Sequence, residues 1–363
     1  MKKIFIIIGS LGLGGTEKQL LMKLCNLKNY YNFTLIIFYK KGELFDEFKK
    51  EGFKIIDFTG LSKSPILKYF LAFLNLIFLL RKKRPQIVNL YLPHSYIIFG
   101  LLSYFFKDIN FLMSRRSLNN YQKKIPFLKF FESRILHKKM KIIFANSKSI
   151  KTQLIFEEYV KESKIRLIYN SVRNYQDIIK KKNNKVINIL VLANFIPYKN
   201  HNMIIEAIKL IPENLNFQVN LAGDGNKLYL KKIKKKIESY KLNKKIKFLG
   251  LVKNTQKILS ESDIGLLCSD EEGLSNSILE YMSYQIPIIA TDVGGNGELV
   301  KNNFNGFLIT KNDHRMLSLK LKKLILDKKL GYKFGKNNLV LLKKYFLIDK
   351  NIGEYKKIYD SLN

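Results

Sequence analysis

Tryptophan is absent from the 363 residues, and only two cysteines occur, Cys25 and Cys268. Two thiols exclude a disulfide framework and a cysteine-rich zinc site, and they suit a reducing compartment. Acids are scarce: 29 Asp and Glu stand against 65 Lys and Arg, for a net charge of +36. Only eight of the basic residues are Arg. Such a lysine excess, with abundant Asn, Ile, Phe and Tyr, is what AT-rich coding produces, so part of the charge needs no function. Long apolar runs are missing. The best candidate, Ile66–Leu80, is interrupted by Lys68 and Asn75 and falls short of the roughly 20 residues a spanning helix needs. Met1-Lys2-Lys3 precedes an apolar run at Ile4–Ile8 that is too short for a signal peptide and has no small-residue cleavage site. A cytoplasmic location is therefore expected.

Several chemical signatures are also lacking. No Gly-x-Gly-x-x-Gly and no Gly-Lys-Ser/Thr loop occurs, which excludes the dinucleotide fingerprint and the nucleoside-triphosphate loop. No Asp-x-Asp occurs, and His94, His137, His201 and His314 lack ligand spacing, so no metal is expected. No helix-turn-helix, zinc-finger or RNA-binding pattern accompanies the positive charge, so nucleic acid is not an expected partner.

What is present is foldable. Hydrophobic residues make up 47%, including 26 Phe and 20 Tyr, too many for a disordered chain. The length suggests about two domains. Apolar runs at Lys2–Ile8, Phe33–Tyr39, Lys54–Phe58, Ile87–Tyr91, Phe111–Ser114 and Ile142–Asn146 read as buried parallel strands, with helical patterns between them. A second series follows at Val186–Ala193, Phe217–Ala222, Ile246–Phe248, Ile264–Cys268 and Pro287–Ala290. The expected class is α/β, with two Rossmann-like doubly wound domains facing across a cleft. The expected boundaries are 1–172, a linker at 173–185, a second domain at 186–329, and a helical tail at 330–363 that packs back toward the first domain.

The charge is uneven. From Phe58 to Phe156, 18 basic residues meet only Asp108 and Glu132. Coding bias alone would thin acids less selectively, so this stretch is expected to face an anionic membrane or a diphosphate. Ile66–Leu80, followed by Arg81-Lys82-Lys83-Arg84, reads either as a buried helix or as one that dips into a membrane surface.

Three loops have chemical content. Gly9-Ser10-Leu11-Gly12-Leu13-Gly14-Gly15-Thr16-Glu17 joins a strand to a helix, where glycines let backbone N–H groups approach an anion; a plain tight turn is the alternative. Asn194–His201 puts Lys199 after the first strand of the second series, where it could supply a point charge to a phosphate. Asp270–Glu280 follows the strand Ile264–Cys268. Its Gly273-Leu274-Ser275 turn leads into a helix whose free N–H groups can receive a diphosphate. Glu272 before that turn could meet sugar hydroxyls, and Glu280 one turn into the helix could accept from a ribose diol. Ser277 to Glu280 also matches a capping box, a structural alternative for Glu280.

With Glu272 and Glu280 eight apart, the chain resembles a family-4 glycosyltransferase of the GT-B fold. Asn194–His201 resembles the family's phosphate-binding Lys motif, and Gly14–Glu17 its Gly-Gly-x-Glu loop. Ala222–Gly225, Asn146-Ser147, Tyr169–Val172, Asp292–Gly295 with Glu298, and Asn305–Phe307 match in the family's order. The resemblance implies a retaining, metal-independent transfer from a nucleotide-diphosphate sugar to a hydroxyl of a glycan acceptor. It places the donor mainly on the second domain, with no cofactor. It gives Lys199 the leaving diphosphate, Glu272 the donor sugar, Glu280 the ribose, and Gly14 and Gly15 the diphosphate; Gly273, Leu274 and Ser275 belong to the donor loop. Pro93-His94-Ser95 resembles the family's histidine near the donor sugar, though a lone His after a strand can also be structural. Asn194 stands where many relatives carry a second phosphate-clamping Arg; it can donate a hydrogen bond but brings no charge. Arg115 or Arg116 could compensate or contact an anionic acceptor. The basic stretch suits a lipid-linked acceptor, which leads to the expectation of a bacterial peripheral enzyme of lipopolysaccharide or capsule synthesis on the inner face of the plasma membrane. A nucleotide-sugar epimerase and a non-enzymatic anion-binding protein are the competing readings.

Overall fold

The computed structural model describes residues 1–173 and 186–362. Almost all of the expected linker, 173–185, lies outside the described residues. The chain divides into two compact units, Met1–Asn170 with Ile348–Asn363, and Ser171–Leu347.

Unit 1 holds seven strands: β1 (Lys2–Ser10), β2 (Tyr31–Lys40), β3 (Lys54–Asp57), β4 (Ile87–Tyr91), β5 (Asn110–Arg115), β6 (Ile142–Ala145) and β7 (Ile165–Leu167). They form one sheet in the order β3-β2-β1-β4-β5-β6-β7, with parallel neighbours throughout. Strand β1 lies inside the sheet, and its side chains alternate between two cores. Ile4, Ile6 and Ile8 join one; Phe5 and Ile7 join the other. Burial on both faces is why this strand is apolar without alternation.

Unit 2 holds β8 (Ile187–Leu192), β9 (Phe217–Ala222), β10 (Ile246–Gly250), β11 (Ile264–Leu267), β12 (Ile288–Thr291) and β13 (Gly306–Ile309). Their order is β10-β9-β8-β11-β12-β13, again parallel. The last strand of each sheet, β7 and β13, escaped the sequence reading. β7 has three residues, one of them Arg166, and β13 begins on Gly306, so neither reads as an apolar run.

The segment at Ile66–Leu80 is the helix Pro65–Lys83, and it is not a buried helix. Ala72, Leu76 and Leu80 face the core, whereas Ile66, Leu67, Phe70, Leu74 and Phe78 are exposed. No helix among the described residues is long and apolar enough to cross a membrane.

The tail separates into two helices. Lys328–Tyr345 belongs to unit 2, where Phe334 meets Phe307 edge-on. Ile348–Ser361 belongs to unit 1, and Tyr355, Ile358 and Tyr359 enter its core. Lys2 Nζ donates to the carbonyls of Tyr359, Asp360 and Leu362 at 3.0, 2.9 and 2.5 Å, which satisfies carbonyls a helix end leaves open.

That helix also encloses Lys23. The ammonium donates to the Tyr91 and Tyr359 hydroxyls and lies 4.7 Å from the centre of the Tyr355 ring. Burial pushes its pKa down from 10.5 to about 7; the nearby Tyr355 opposes the shift and Arg116 adds to it. Between those values the unfolded chain keeps a proton that the folded chain has released. Below about pH 7 both states hold the proton, and the folded chain bears the full cost of the buried charge. Between about pH 7 and 10 the unfolded chain is the more protonated state, so folding becomes more favourable as pH rises there. In Lys23→Met, the rise in thermal midpoint between about pH 7 and 9 should flatten. A slope equal to that of the parent chain would show that Lys23 does not titrate there.

Candidate functional site

In each sheet the strand order reverses once, between β1 and β4 and between β8 and β11. Loops leaving the carboxyl ends of such a pair diverge and leave a crevice that ligands use. The Gly9–Glu17, Pro93–Ser95, Asn194–His201 and Asp270–Glu280 segments follow these four strands.

In unit 2, Lys199 comes from the loop after β8 and Glu272 from the loop after β11. They meet: Lys199 Nζ lies 2.5 Å from Glu272 Oε1, with side chains only 16% and 11% exposed. Ser269 Oγ donates to the same carboxylate oxygen at 2.8 Å. Burial works against the ammonium, but the Glu272 charge and hydrogen bond outweigh it, so Lys199 titrates above an ordinary lysine and stays charged. The two loops are also tied through their backbones, with Asp270 N–H donating to the Tyr198 carbonyl at 2.7 Å. Asn200 Nδ2 donates to Asp270 Oδ1 and Asn312 Oδ1 at 2.9 and 2.8 Å. Asn194 is exposed. Its loop is pinned from below, where Phe195 N–H donates to the Asp224 carbonyl and Asn226 N–H to the Phe195 carbonyl. A Cβ at Gly223 would stand 2.2 Å from the Ala193 carbonyl oxygen, so only glycine permits this approach.

The helix Asn276–Ser283 begins where the sequence placed it. Ser275 is its N-cap and accepts from Ile278 N–H at 3.3 Å; Gly273, Leu274 and Ser275 are all buried beneath the turn. The capping box from Ser277 to Glu280 does not form. Ser277 Oγ donates to the Leu192 carbonyl, and Glu280 Oε2 accepts from Thr255 Oγ1 at 2.8 Å. The cap had already been taken two residues earlier, so Glu280 lies too far into the helix to serve it.

In unit 1, the Gly-rich loop follows β1 and His94 follows β4. A Cβ at Gly9 would lie 3.2 Å from His94 Nδ1, so glycine lets the two loops touch. The imidazole packs edge-on against Phe38, Tyr39 and Tyr69 with centroids 4.9, 5.6 and 5.2 Å away. Burial lowers its pKa, which keeps the ring neutral at neutral pH. Gly14 is the N-cap of the helix Gly15–Leu27 and lies against the Glu17 carboxyl, whose pKa burial raises. Leu13 N–H in this loop donates to Glu43 Oε2 at 3.2 Å.

The two arginines at the end of β5 part company. Arg116 Nη1 donates to Asn170 Oδ1 at 3.2 Å and Nη2 to the Tyr355 hydroxyl at 2.9 Å, both within unit 1. Arg115 is fully enclosed: it donates to Glu132 Oε2 at 2.9 Å and Glu158 Oε1 at 3.0 Å. This corrects its assignment as a phosphate or acceptor contact, because no face of the guanidinium is left for a ligand. Glu132, His137 and Glu158 also form the one group among the described residues whose ligand atoms converge as a metal site would need. The four histidines showed no such grouping in sequence because Glu158 lies 21 positions from His137, although Glu132 and His137 share one helical run. The cation these carboxylates hold is Arg115, and His137 is bonded through both ring nitrogens, to Tyr96 and to Glu158. The cluster reads as an internal charge network.

Residues 172–339 match the family model described as glycosyl transferases group 1. The chain is 32% identical over 226 residues to an uncharacterized glycosyltransferase of Methanocaldococcus jannaschii; the match covers 61% of this chain and only 60% of that relative's length. It is 27% identical, across 99% of both chains, to a capsular polysaccharide biosynthesis glycosyltransferase of Staphylococcus aureus. A 24% match covers 91% of this chain and 92% of the N-acetylgalactosamine-N,N'-diacetylbacillosaminyl-diphospho-undecaprenol 4-alpha-N-acetylgalactosaminyltransferase of Campylobacter jejuni. Among solved structures, Anabaena HepE in complex with UDP-glucose matches over 100% of both chains, with a TM-score of 0.88 at 17% identity. The fold is GT-B.

Several supports of this candidate site were missed in the sequence. Ser269 and Thr255 are ordinary hydroxyls until the fold sets them against Glu272 and Glu280. Gly294 has φ +53°, and a Cβ there would fall 1.8 Å from the Glu272 carbonyl oxygen, so it shapes the loop that carries Glu272. Its signal was the Asp292-Val293-Gly294-Gly295 match, read for order rather than for contact. His201 is buried and stacked on Phe195, with its pKa pushed down to about 4 by burial; it props the Lys199 loop as a neutral ring.

Proposed function

We propose that this protein transfers a sugar from a nucleotide-diphosphate sugar to a hydroxyl of a lipid-linked glycan acceptor, with retention at the anomeric carbon and without a metal. The carrying observation is the Lys199–Glu272 pair at the β8/β11 switch point, beside the N-terminus of the helix Asn276–Ser283. An ammonium has three donors. One is held by Glu272, which leaves donors for a diphosphate oxygen as charge develops on the leaving group. The helix N-terminus adds free N–H groups for the same diphosphate. Glu272 would also accept from donor-sugar hydroxyls, and Glu280 from the ribose. By the family resemblance, Gly14 and Gly15 would offer backbone N–H groups to the diphosphate, and neutral His94 a hydrogen bond to the donor sugar. Arg116 keeps its proposed role toward an anionic acceptor.

The UDP-glucose complex of HepE supports a uridine nucleotide as the first donor to test. The diphospho-undecaprenol in the C. jejuni relative's name supports a lipid-linked acceptor, and the S. aureus relative's name supports capsular polysaccharide synthesis. Retention, and membership of family 4, rest on the Glu272–Glu280 resemblance.

The test is turnover of labelled UDP-sugars with and without a lipid-linked acceptor extract, with the anomeric configuration of the product read by NMR. Acceptor-dependent formation of an α-linked product from an α-linked donor is expected. Acceptor-independent conversion would support an epimerase, and no turnover with any nucleotide sugar would overturn the transfer reading. Activity should survive chelation, because Lys199 supplies the charge that a metal would bring. Loss on chelation that magnesium or manganese restores would contradict that role. Glu280→Ala should raise the donor KM and leave kcat nearly unchanged, since ribose contacts serve ground and transition states alike. A fall in kcat alone would remove Glu280 from the ribose. Because Glu280 also holds Thr255, the thermal midpoint of the variant is measured alongside.

A further inference from the structure

The helix Pro65–Lys83 has an outer face with no protein partner among the core residues. Ile66, Phe70, Leu74 and Phe78 recur every four residues and are 84, 57, 45 and 65% exposed. This spacing lays them along one inclined stripe of an α-helix. The opposite side is anchored: Ala72, Leu76 and Leu80 are buried in the core, and Tyr69, Phe73 and Ile77 pack against it. The stripe is thus a rigid surface, not a loose segment. Arg81 and Lys82, one turn beyond it, are exposed with Lys83 and Arg84, and Lys82 Nζ lies 5.7 Å from the centre of the Phe78 ring. The helix carries no acid.

Charge decides what the stripe fits. Of the two acids between Phe58 and Phe156, Glu132 is spent internally on Arg115, so Asp108 is the only one at the surface. A second patch repeats the pattern. Ile125, Phe127 and Phe130 are exposed beside Lys123 and Lys124. The neighbouring Phe131 packs on the same core as Phe73 and Ile77, so both patches belong to helices covering the same face of the sheet. Large apolar side chains ringed by cations, almost without acids, complement an interface that is apolar within and anionic at its rim.

We propose that the outer face of the helix Pro65–Lys83 docks unit 1 on an anionic lipid bilayer, with Ile66, Phe70, Leu74 and Phe78 entering the acyl boundary and Arg81–Arg84 contacting headgroups. This deepens the proposed reaction by naming the surface that meets a membrane-borne acceptor. Binding is read without turnover, so the two proposals stand or fall separately.

The experiment uses the full chain with phosphatidylcholine vesicles, with and without about 30% phosphatidylglycerol, a charge density at which clustered Lys and Arg bind measurably. Co-sedimentation should be strong with the anionic vesicles, at least about tenfold weaker with neutral ones, and reduced by high salt. Phe70→Asp with Phe78→Asp should weaken anionic binding at least about tenfold without moving the thermal midpoint, because both side chains are exposed. The chain has no tryptophan, so Phe78→Trp introduces a single reporter whose emission should shift to the blue on anionic vesicles. Equal binding to both vesicle types, binding to neither, unaltered binding by the double variant, or an unshifted tryptophan emission would each overturn the proposal. So would a parent dimer in sedimentation that the double variant dissociates, since the stripe would then cover a second copy of the chain.

Discussion

Lys199→Ala should lower kcat by about 10²–10³-fold, the usual effect of deleting one preorganised group that meets developing charge. The size of the effect follows from when the charge matters. A diphosphate gains negative charge as the sugar bond breaks, so the ammonium contributes more in the transition state than in the ground state. Donor KM should change much less than kcat. Lys199 is also the partner of a poorly exposed carboxylate, and its removal leaves Ser269 to hold Glu272. A displaced Glu272 would then add to the loss. Lys199→Arg separates the contributions: it keeps the charge and the ion pair but not the point geometry, and should recover part of the lost rate. If Lys199→Ala keeps kcat within about threefold of the parent, far short of the effect of losing such a group, Lys199 does not serve the leaving group.

Arg115→Met should destabilise the protein by about 3–5 kcal/mol, the range for removing one member of a buried ion pair. The guanidinium offsets two carboxylates at once, Glu132 and Glu158, and all three side chains are fully buried. Burial alone would raise the Glu158 pKa, but the Arg115 charge and the bonds from His137 and Gln122 hold it below an ordinary carboxyl. Without Arg115 these acids must take up protons or let in water, and each route has a cost. Chemical unfolding followed by circular dichroism would report the change as a lower midpoint at a similar slope. A loss below about 1 kcal/mol would show that the carboxylates find another cation. The contrast with Lys199→Ala is useful: the Arg115 variant should lose stability first, whereas the Lys199 variant should lose rate.

The sequence by itself determined the class of fold and where the loops carrying Lys199 and Glu272 leave their strands. The reason is physical. Strands buried on both faces, such as Ile4–Ile8 and Ile264–Leu267, must be continuously apolar, so they show as runs, and the loops that follow them stand out by contrast. Local signals were sufficient for the helix start at Ser275 too, since an N-cap depends on neighbours only three residues away. Tertiary structure decided whatever depends on distant partners. Arg115 and Arg116 are adjacent in sequence and looked equivalent, yet Arg115, the last residue of β5, turns into the core beside Glu132 and Glu158, and Arg116, just past the strand, turns toward Asn170 and Tyr355. Lys199 and Glu272 are 73 positions apart, and only the β8–β11 pairing brings them to 2.5 Å. Glu280 has no capping role because Ser275 already caps the helix, and the fold brings Thr255, 25 positions away, to donate to its carboxylate. The apolar run at Ile66–Leu80 could not reveal which residues face out, because apolar residues occupy nearly every position and the pattern carries no polar side to orient it. Packing of Ala72, Leu76 and Leu80 on the sheet made that choice, and so left Ile66, Phe70, Leu74 and Phe78 on the outside.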